Sequence, residues 1–186
     1  MKIVYFIRHG EATHNVDFNK VGEIAYYQEC NRDSKLTSNG IKQAKNVIVP
    51  EVDIVITSPL SRALATTYNI FGKYNIPIMA SDIIRETNNS HVCNNRMKKS
   101  ELESKYLSID FSRLTENDDW WETGETFCRK NALDNLLNEL EYERIAIVSH
   151  GTFLQEYFWY KNISAMYLDN CKILKCGYKD KILNII

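Results

Sequence analysis

No stretch of the chain approaches the roughly 20 consecutive apolar residues that a membrane-spanning helix needs, so no helical span is expected. The apolar run within Met1 to Ile7 is too short for a signal-peptide core, and it leads into Arg8, His9 and Gly10 without a small-residue cleavage site. A cytoplasmic location is the expectation. There is no CxxC pair: Cys30, Cys93, Cys128, Cys171 and Cys176 are odd in number and irregularly spaced, the pattern of free thiols rather than of a disulfide framework or zinc site. Neither sign of charge is in excess. With 23 basic and 24 acidic side chains and a formal charge of -1, the sequence carries no basic field for nucleic acid and no polybasic run for an anionic membrane. Repeats, low-complexity tracts and linkers are lacking too, which leaves one globular domain over residues 1–186. A chain of this size can bury roughly 70% of the surface it exposes when unfolded.

What is present alternates. Short runs rich in β-branched and aromatic residues at Lys2–Ile7, Val52–Thr57, Ile76–Ala80 and Arg144–Val148 read as strands buried on both faces. Helical stretches are expected at about Ile41–Val47, capped by Thr37 or Ser38 and ended by Pro50, and at Ala63–Tyr74 and Phe153–Tyr160. A further amphipathic helix opens at Thr123-Gly124-Glu125, with Phe127, Leu133, Leu136, Leu137 and Leu140 near helical spacing. Asn15–Lys35 reads as a long polar and aromatic excursion, of a length that is often functional. Lys98–Asp119 is charged, helix-compatible in part and expected outside the sheet, within a cap or insertion around 87–122. The tail, Cys171–Lys175 and Lys181–Ile186, reads as a hairpin. The fold class is therefore α/β, a three-layer sandwich whose mostly parallel central sheet is flanked by helices.

In such folds ligands sit at the carboxyl ends of the strands. Those ends present Arg8-His9, Arg62 and His150. A neutral imidazole can attack phosphorus and form a phosphohistidine labile enough for water to resolve, which splits one hard displacement into two easier ones. Guanidinium groups such as Arg8 and Arg62 meet the charged phosphoryl oxygens bidentately. His150, followed by Gly151 at a helix start, adds a donor beside backbone N–H groups that favour anions.

The sequence Arg8-His9-Gly10-Glu11, with Asn15 four residues after Glu11, resembles the RHGE(x)3N signature of the histidine phosphatase (phosphoglycerate mutase-like) superfamily, branch 1. Leu36-Thr37 with Gly40 and Gln43-Ala44 is similar to the family's LTxxGxxQA helix. Ser58-Pro59-Leu60-Ser61-Arg62-Ala63 with Thr66 resembles its SPLxRAxxT segment, and Ser149-His150-Gly151 its SHG motif. The resemblance implies a phosphoglycerate mutase-like fold, with His9 as nucleophile, Arg8 and Arg62 as phosphate clamps, His150 as the fourth pocket member and Asn15 as a further phosphate contact. It also implies an acidic proton donor in an Arg-Glu pair after the third strand, and Arg85-Glu86 stands there, so Glu86 is the expected general acid. A raised pKa would suit that role.

The chain departs from the family after Glu86, where many members have an aromatic-glycine pair and this one has Thr87-Asn88-Asn89-Ser90-His91-Val92-Cys93-Asn94-Asn95-Arg96. Arg96 is kept as a candidate for binding the rest of the substrate, together with Gly151. His14 and His91 are read as structural or solvated, Glu11 as an orienting group, and Trp120 and Trp121 as packing under a cap. No metal and no cofactor are expected. The resulting expectation is metal-independent hydrolysis of a phosphomonoester, either a small phosphorylated molecule or a phosphoprotein, through phospho-His9. The alternatives are mutase-type phosphoryl transfer and a non-catalytic module that binds phosphorylated ligands.

Overall fold

Alternation inside the strands decides the architecture. In β1 (Lys2–Arg8), Val4 and Phe6 join one apolar cluster while Tyr5 and Ile7 join another. In β5 (Arg144–Ser149), Ile145 and Ile147 part from Ala146 and Val148 in the same way. Successive strand side chains point to opposite faces, so both faces of this sheet are apolar and both need cover. Helices α5 (Thr126–Glu139) and α6 (Gly151–Tyr160) cover one face with Leu133, Leu136, Leu137, Phe153, Leu154, Tyr157 and Phe158. On the other face lie α2 (Ser38–Lys45), α3 (Ser61–Phe71) and α4 (Lys99–Lys105), contributing Ala44, Ala63, Leu64, Ile70, Phe71 and Leu102. Phe6 meets the edge of Phe158 with ring centroids 5.2 Å apart. Each such fully buried side chain contributes about 1.5–3 kcal/mol.

The remaining elements are α1 (Thr13–Val21), β2 (Ile54–Thr57), β3 (Ile78–Ala80), β4 (Ile109–Asp110), β6 (Ile173–Lys179) and β7 (Ile182–Ile185), with short 3-10 turns between them. The structure, a computed structural model, describes residues 1–88, 90–119, 126–164 and 167–186. Among these the sheet runs β4-β3-β2-β5-β1-β6-β7. The first five strands are mutually parallel, and β6 and β7 add an antiparallel hairpin. The fold is thus the expected three-layer α/β arrangement with a mostly parallel central sheet.

Two expectations need correction. Lys98–Asp119 is not wholly outside the sheet, because Ile109 and Asp110 pair in parallel with Ile78 and Met79 at its edge. The two-residue strand is too short to produce a readable alternation. Asn15–Lys35 is not an irregular excursion either: it contains most of α1 and two 3-10 segments, Gly22–Tyr27 and Glu29–Asn31. Helix α1 is weakly amphipathic and buries only His14, so hydrophobic periodicity could not reveal it. The expected cap by Thr37 is present, its Oγ1 accepting from Gly40 N–H at 3.0 Å. The terminal hairpin begins two residues later than expected, and the expected helix start at Thr123–Glu125 and the packing of Trp120 and Trp121 lie outside the described residues.

Candidate active site

Strand register assembles the site. Arg8 pairs with Ser149 across β1 and β5, and Thr57 pairs with Val148 across β2 and β5. The residues that follow these pairs, His9, His150 and Ser58, are therefore delivered side by side at the carboxyl edge. The His9 and His150 rings lie 5.1 Å apart, and His150 Nε2 contacts Ser58 Oγ at 2.7 Å. Backbone bonds from His9 N–H to the Ser149 carbonyl (2.9 Å) and from Ser58 N–H to the Val148 carbonyl (3.0 Å) extend the ladder one step past the strands.

His9 is almost fully buried, and its Nδ1 lies 2.7 Å from its neighbour's carbonyl, Gly10 O. A carbonyl can only accept, so Nδ1 carries the proton and Nε2 keeps its lone pair. That lone pair faces Arg62 Nε at 3.2 Å. Arg62 is itself buried, and its other nitrogens donate to Cys93 O and to Asn94 Oδ1, each at 2.7 Å. Arg8 donates to Leu168 O at 2.8 Å and lies 4.6 Å from the centroid of the Tyr167 ring. Its buried Nε has no partner among the described residues.

The family-like motifs pack against one another for definite reasons. A Cβ on Gly40 would stand 2.0 Å from the Glu11 carbonyl oxygen, and one on Gly10 would stand 2.6 Å from the Gly40 carbonyl oxygen. Only hydrogen fits at either position, so the two loops can touch. The Glu11 carboxylate accepts from Thr37 Oγ1 (2.5 Å) and Asn39 Nδ2 (3.2 Å), while its own N–H donates to Gln43 Oε1 (2.8 Å). Glu11 therefore ties the His9 loop to α2 and does not line the cavity. Thr66 Oγ1 accepts from Gly10 N–H at 3.0 Å and donates to the Arg62 carbonyl at 2.7 Å, joining the His9 loop to α3.

A cavity of about 210 Å³ opens at this edge. Arg8, His9, Asn15, Arg62 and Glu86 line it, as do His14 and His91. Glu86 sits at the start of α6, accepting from the backbone N–H groups of Thr87 (2.9 Å), Phe153 (2.9 Å) and Thr152 (3.3 Å). His150 is completely buried behind His9 and is not among the lining residues, and Gly151, against which Tyr167 packs, is not among them either.

Arg96 is placed elsewhere. Its buried guanidinium bonds to Asp82 and to the carbonyls of Met97, Thr115 and Asn117, so it fastens the segment after β3 rather than facing the cavity. Residues not singled out from sequence also line the cavity: Tyr26, Asn88, Cys93, Asn94, Thr152 and Tyr167. Among the described residues no group of three or more His, Cys, Asp or Glu side chains is arranged to hold a metal ion, and no helix is long and apolar enough to cross a membrane.

Burial holds His9 and His150 well below the usual imidazole range, with the Arg62 charge next in importance for both. His14 is pushed down to about 2 by burial, then by Arg62 and Arg8, and burial lowers His91 as well. His9, His14 and His150 are neutral in the fold but take up protons in the unfolded chain as pH falls through about 6.5. The unfolded state then binds more protons, so stability must fall with falling pH below about 6.5, by up to about 1.4 kcal/mol per pH unit for each fully buried histidine. Asp33, raised by burial, acts with the opposite sign but is a single group. Urea midpoints measured from pH 7.5 to 5 are expected to decline, and a flat profile would contradict the neutral assignment.

The comparisons with known proteins agree with this geometry. The profile of the histidine phosphatase superfamily (branch 1) matches residues 4–181. A phosphoglycerate mutase-like protein of Arabidopsis thaliana is 26% identical over 196 residues, covering 82% of this chain and 72% of its own. Among solved structures, the alpha-ribazole phosphatase of Shigella flexneri aligns with a TM-score of 0.66 at 19% identity, over 99% of this chain and 94% of that one. The phosphoserine phosphatase of Entamoeba histolytica, crystallised with phosphoserine, aligns with a TM-score of 0.61 at 22% identity, over 100% and 95% of the two chains. These likenesses establish the shared fold, and the profile match over nearly the whole sequence, joined to the packing of its four motifs around one cavity, makes the chain a member of the histidine phosphatase superfamily, branch 1.

Proposed function

We propose that the protein hydrolyses a small phosphomonoester through a phosphohistidine on His9. The observation that carries this reading is the tautomer of His9: with Nδ1–H committed to the Gly10 carbonyl, Nε2 presents its lone pair beside Arg62 in a cavity that Arg8 also lines. In the first step the Nε2 lone pair bonds to phosphorus while the bond from phosphorus to the ester oxygen breaks. Arg62 and Arg8 take up the charge on the phosphoryl oxygens. The imidazole becomes positive, and its Nδ1–H bond to Gly10 O strengthens. The departing oxygen takes a proton from Glu86. In the second step water, deprotonated by the Glu86 carboxylate, attacks the phosphohistidine and releases inorganic phosphate and neutral His9.

The lowered pKa of His9 keeps the nucleophile deprotonated through mildly acidic pH. His150, whose ring lies 5.1 Å from that of His9 and whose Nε2 contacts Ser58, is read as holding the nucleophile in place. Asn15, on the cavity wall, is read as a further contact.

Hydrolysis is favoured over a mutase by the charge of the cavity wall. Beyond Arg8 and Arg62, its described lining residues include no cation to hold the carboxylate of a phosphoglycerate while the phosphoryl group is retained and transferred back. The size of the cavity favours a small phosphorylated molecule over a folded phosphoprotein. The direct test is phosphate release from p-nitrophenyl phosphate and a panel of natural phosphomonoesters with EDTA present, where His9-dependent release is expected. Silence across the panel together with interconversion of phosphoglycerates would replace this reading with the mutase.

The three backbone contacts of Glu86 fix where its proton is delivered. Glu86→Gln is therefore expected to slow alkyl phosphates by roughly 10²–10⁴-fold, the usual range for a general acid. Aryl phosphates, whose leaving groups need little protonation, should lose much less. Equal losses on both would remove Glu86 from the role.

A further inference from the structure

One buried histidine in the cavity wall is left without a task by the mechanism above. His14 is 6% exposed, lines the cavity, and its ring centroid lies 5.9 Å from that of His9 and 6.0 Å from that of Tyr26. It stands between the nucleophile and the aromatic wall.

Its tautomer follows from the backbone. The Ala12 N–H precedes the first turn of α1 and can only donate, so the Asn15 atom 3.0 Å from it is the amide oxygen Oδ1. This fixes the amide. The opposite end of the Asn15 side chain, 3.0 Å from His14 Nε2, must then be Nδ2, a donor. His14 Nε2 accepts, so the ring proton resides on Nδ1. That Nδ1–H is buried and has no partner among the described residues. A buried donor left without an acceptor is destabilising, and that is relieved when a ligand oxygen meets it.

We infer that His14 is a ligand-binding residue: a neutral imidazole, locked by Asn15, whose Nδ1–H donates to an oxygen of the phosphate group held in front of His9. The inference rests on the phosphate-site reading of this cavity. Geometry allows the contact, since phosphorus must come within about 3–3.5 Å of His9 Nε2 to be attacked, which brings its oxygens toward a ring so close to His9. The neighbouring charged and titratable groups are Arg8, Arg62, His9, His91, His150 and Tyr26. Burial, and after it the Arg62 and Arg8 guanidinium groups, disfavours protonation of His14, so it remains a neutral donor across the working pH range. The assignment also gives Asn15 a second purpose, that of fixing which ring nitrogen carries the proton.

The test is direct binding of inorganic phosphate and orthovanadate to the full chain by calorimetry, which needs no turnover. His14→Phe, which keeps a ring but removes the donor, is expected to weaken both anions by roughly 10- to 100-fold, the worth of a hydrogen bond to a charged acceptor. His14→Asn, which returns an amide N–H to the Nδ1 position, is expected to retain most of the affinity. Equal binding by wild type and His14→Phe would overturn the inference and leave the phosphate site standing, whereas no binding to the wild type would remove both. Long-range proton–nitrogen spectra of histidine-labelled wild type give a reading independent of any variant's folding. His14 is expected to show protonated Nδ1 and unprotonated Nε2 from pH 5 to 8, with the Nδ1 proton shifting when phosphate is added. A proton on Nε2, or no shift on phosphate addition, would overturn the inference.

Discussion

Replacing His9 with alanine is expected to reduce turnover on the order of a millionfold, the scale of losing a covalent nucleophile, while leaving the anion site occupied. The two halves of this prediction have separate physical sources. On the proposed mechanism turnover requires the Nε2 lone pair of His9, whose Nδ1–H is held by the Gly10 carbonyl. On the same proposal anion binding rests on Arg8 and Arg62, and each is anchored by contacts that do not involve His9: Leu168 O for Arg8, Cys93 O and Asn94 Oδ1 for Arg62. Inorganic phosphate should therefore bind the variant and protect it against thermal unfolding. A variant with a readily measurable rate would mean that water attacks phosphorus directly and that the two guanidinium groups are the catalytic core.

The largest effect on stability is expected at Asp134→Ala. Asp134 is completely buried between α5 and α6, where one oxygen accepts from Tyr157 Oη at 2.8 Å and the other from Lys161 Nζ, whose side chain is only 6% exposed. Tyr178 Oη donates to the Asp134 carbonyl at 3.0 Å, closing the cluster onto β6. Removing the carboxylate leaves the Lys161 ammonium without its counter-charge, with the Lys181 carbonyl at 2.8 Å still accepting from it, and takes the acceptor from the buried Tyr157 phenol, which should cost about 3–5 kcal/mol. In urea the midpoint should fall at nearly constant slope. Pairing Asp134→Leu with Lys161→Met removes both charges together and should recover much of the loss, because the pair's attraction is largely offset by its desolvation. A double variant as unstable as the single one would mean that the tyrosine hydrogen bonds, not the ion pair, dominate. Neither Asp134 nor Lys161 lines the cavity, so catalysis by the folded fraction should be unchanged.

The difference between what was legible in the sequence and what was not follows from the range of the interactions. The strands before His9, Ser58 and His150 announce themselves because both sheet faces are buried, which makes their apolar runs continuous. The motif residues are legible one at a time, and their packing explains the pattern: Gly10 and Gly40 admit no Cβ, and Thr37, Gln43 and Thr66 each hold a backbone or side-chain partner from the His9 loop. Helix α1 escaped because its inward face carries an imidazole instead of a hydrophobic stripe. Arg96 was misjudged for a related reason. A cation in an Asn-rich loop beside the site resembles a substrate contact, but its partners, Asp82 and the carbonyls after Thr115, are distant in sequence and carry no local signal.

Tyr26 and Asn94 were missed although their surroundings gave a hint. Tyr26 lies in the long polar stretch whose length suggested function, and Asn94 in the segment that departs from the family after Glu86. Asn94 is nearly fully buried, accepts from Arg62 and donates to the Asn88 carbonyl at 2.6 Å, so it braces the clamp against the loop that replaces the family's aromatic-glycine pair. His14 looked like an ordinary structural histidine, and only its orphaned Nδ1 and the Asn15 amide beside it distinguish it.

The central claim is the phosphohistidine, and it is tested most directly by quenching the full chain during turnover of radiolabelled p-nitrophenyl phosphate and locating the trapped phosphate. The account predicts label that is stable in alkali, labile in acid, and confined to His9. Rapid turnover with no trapped label, or label on a residue other than His9, would contradict it.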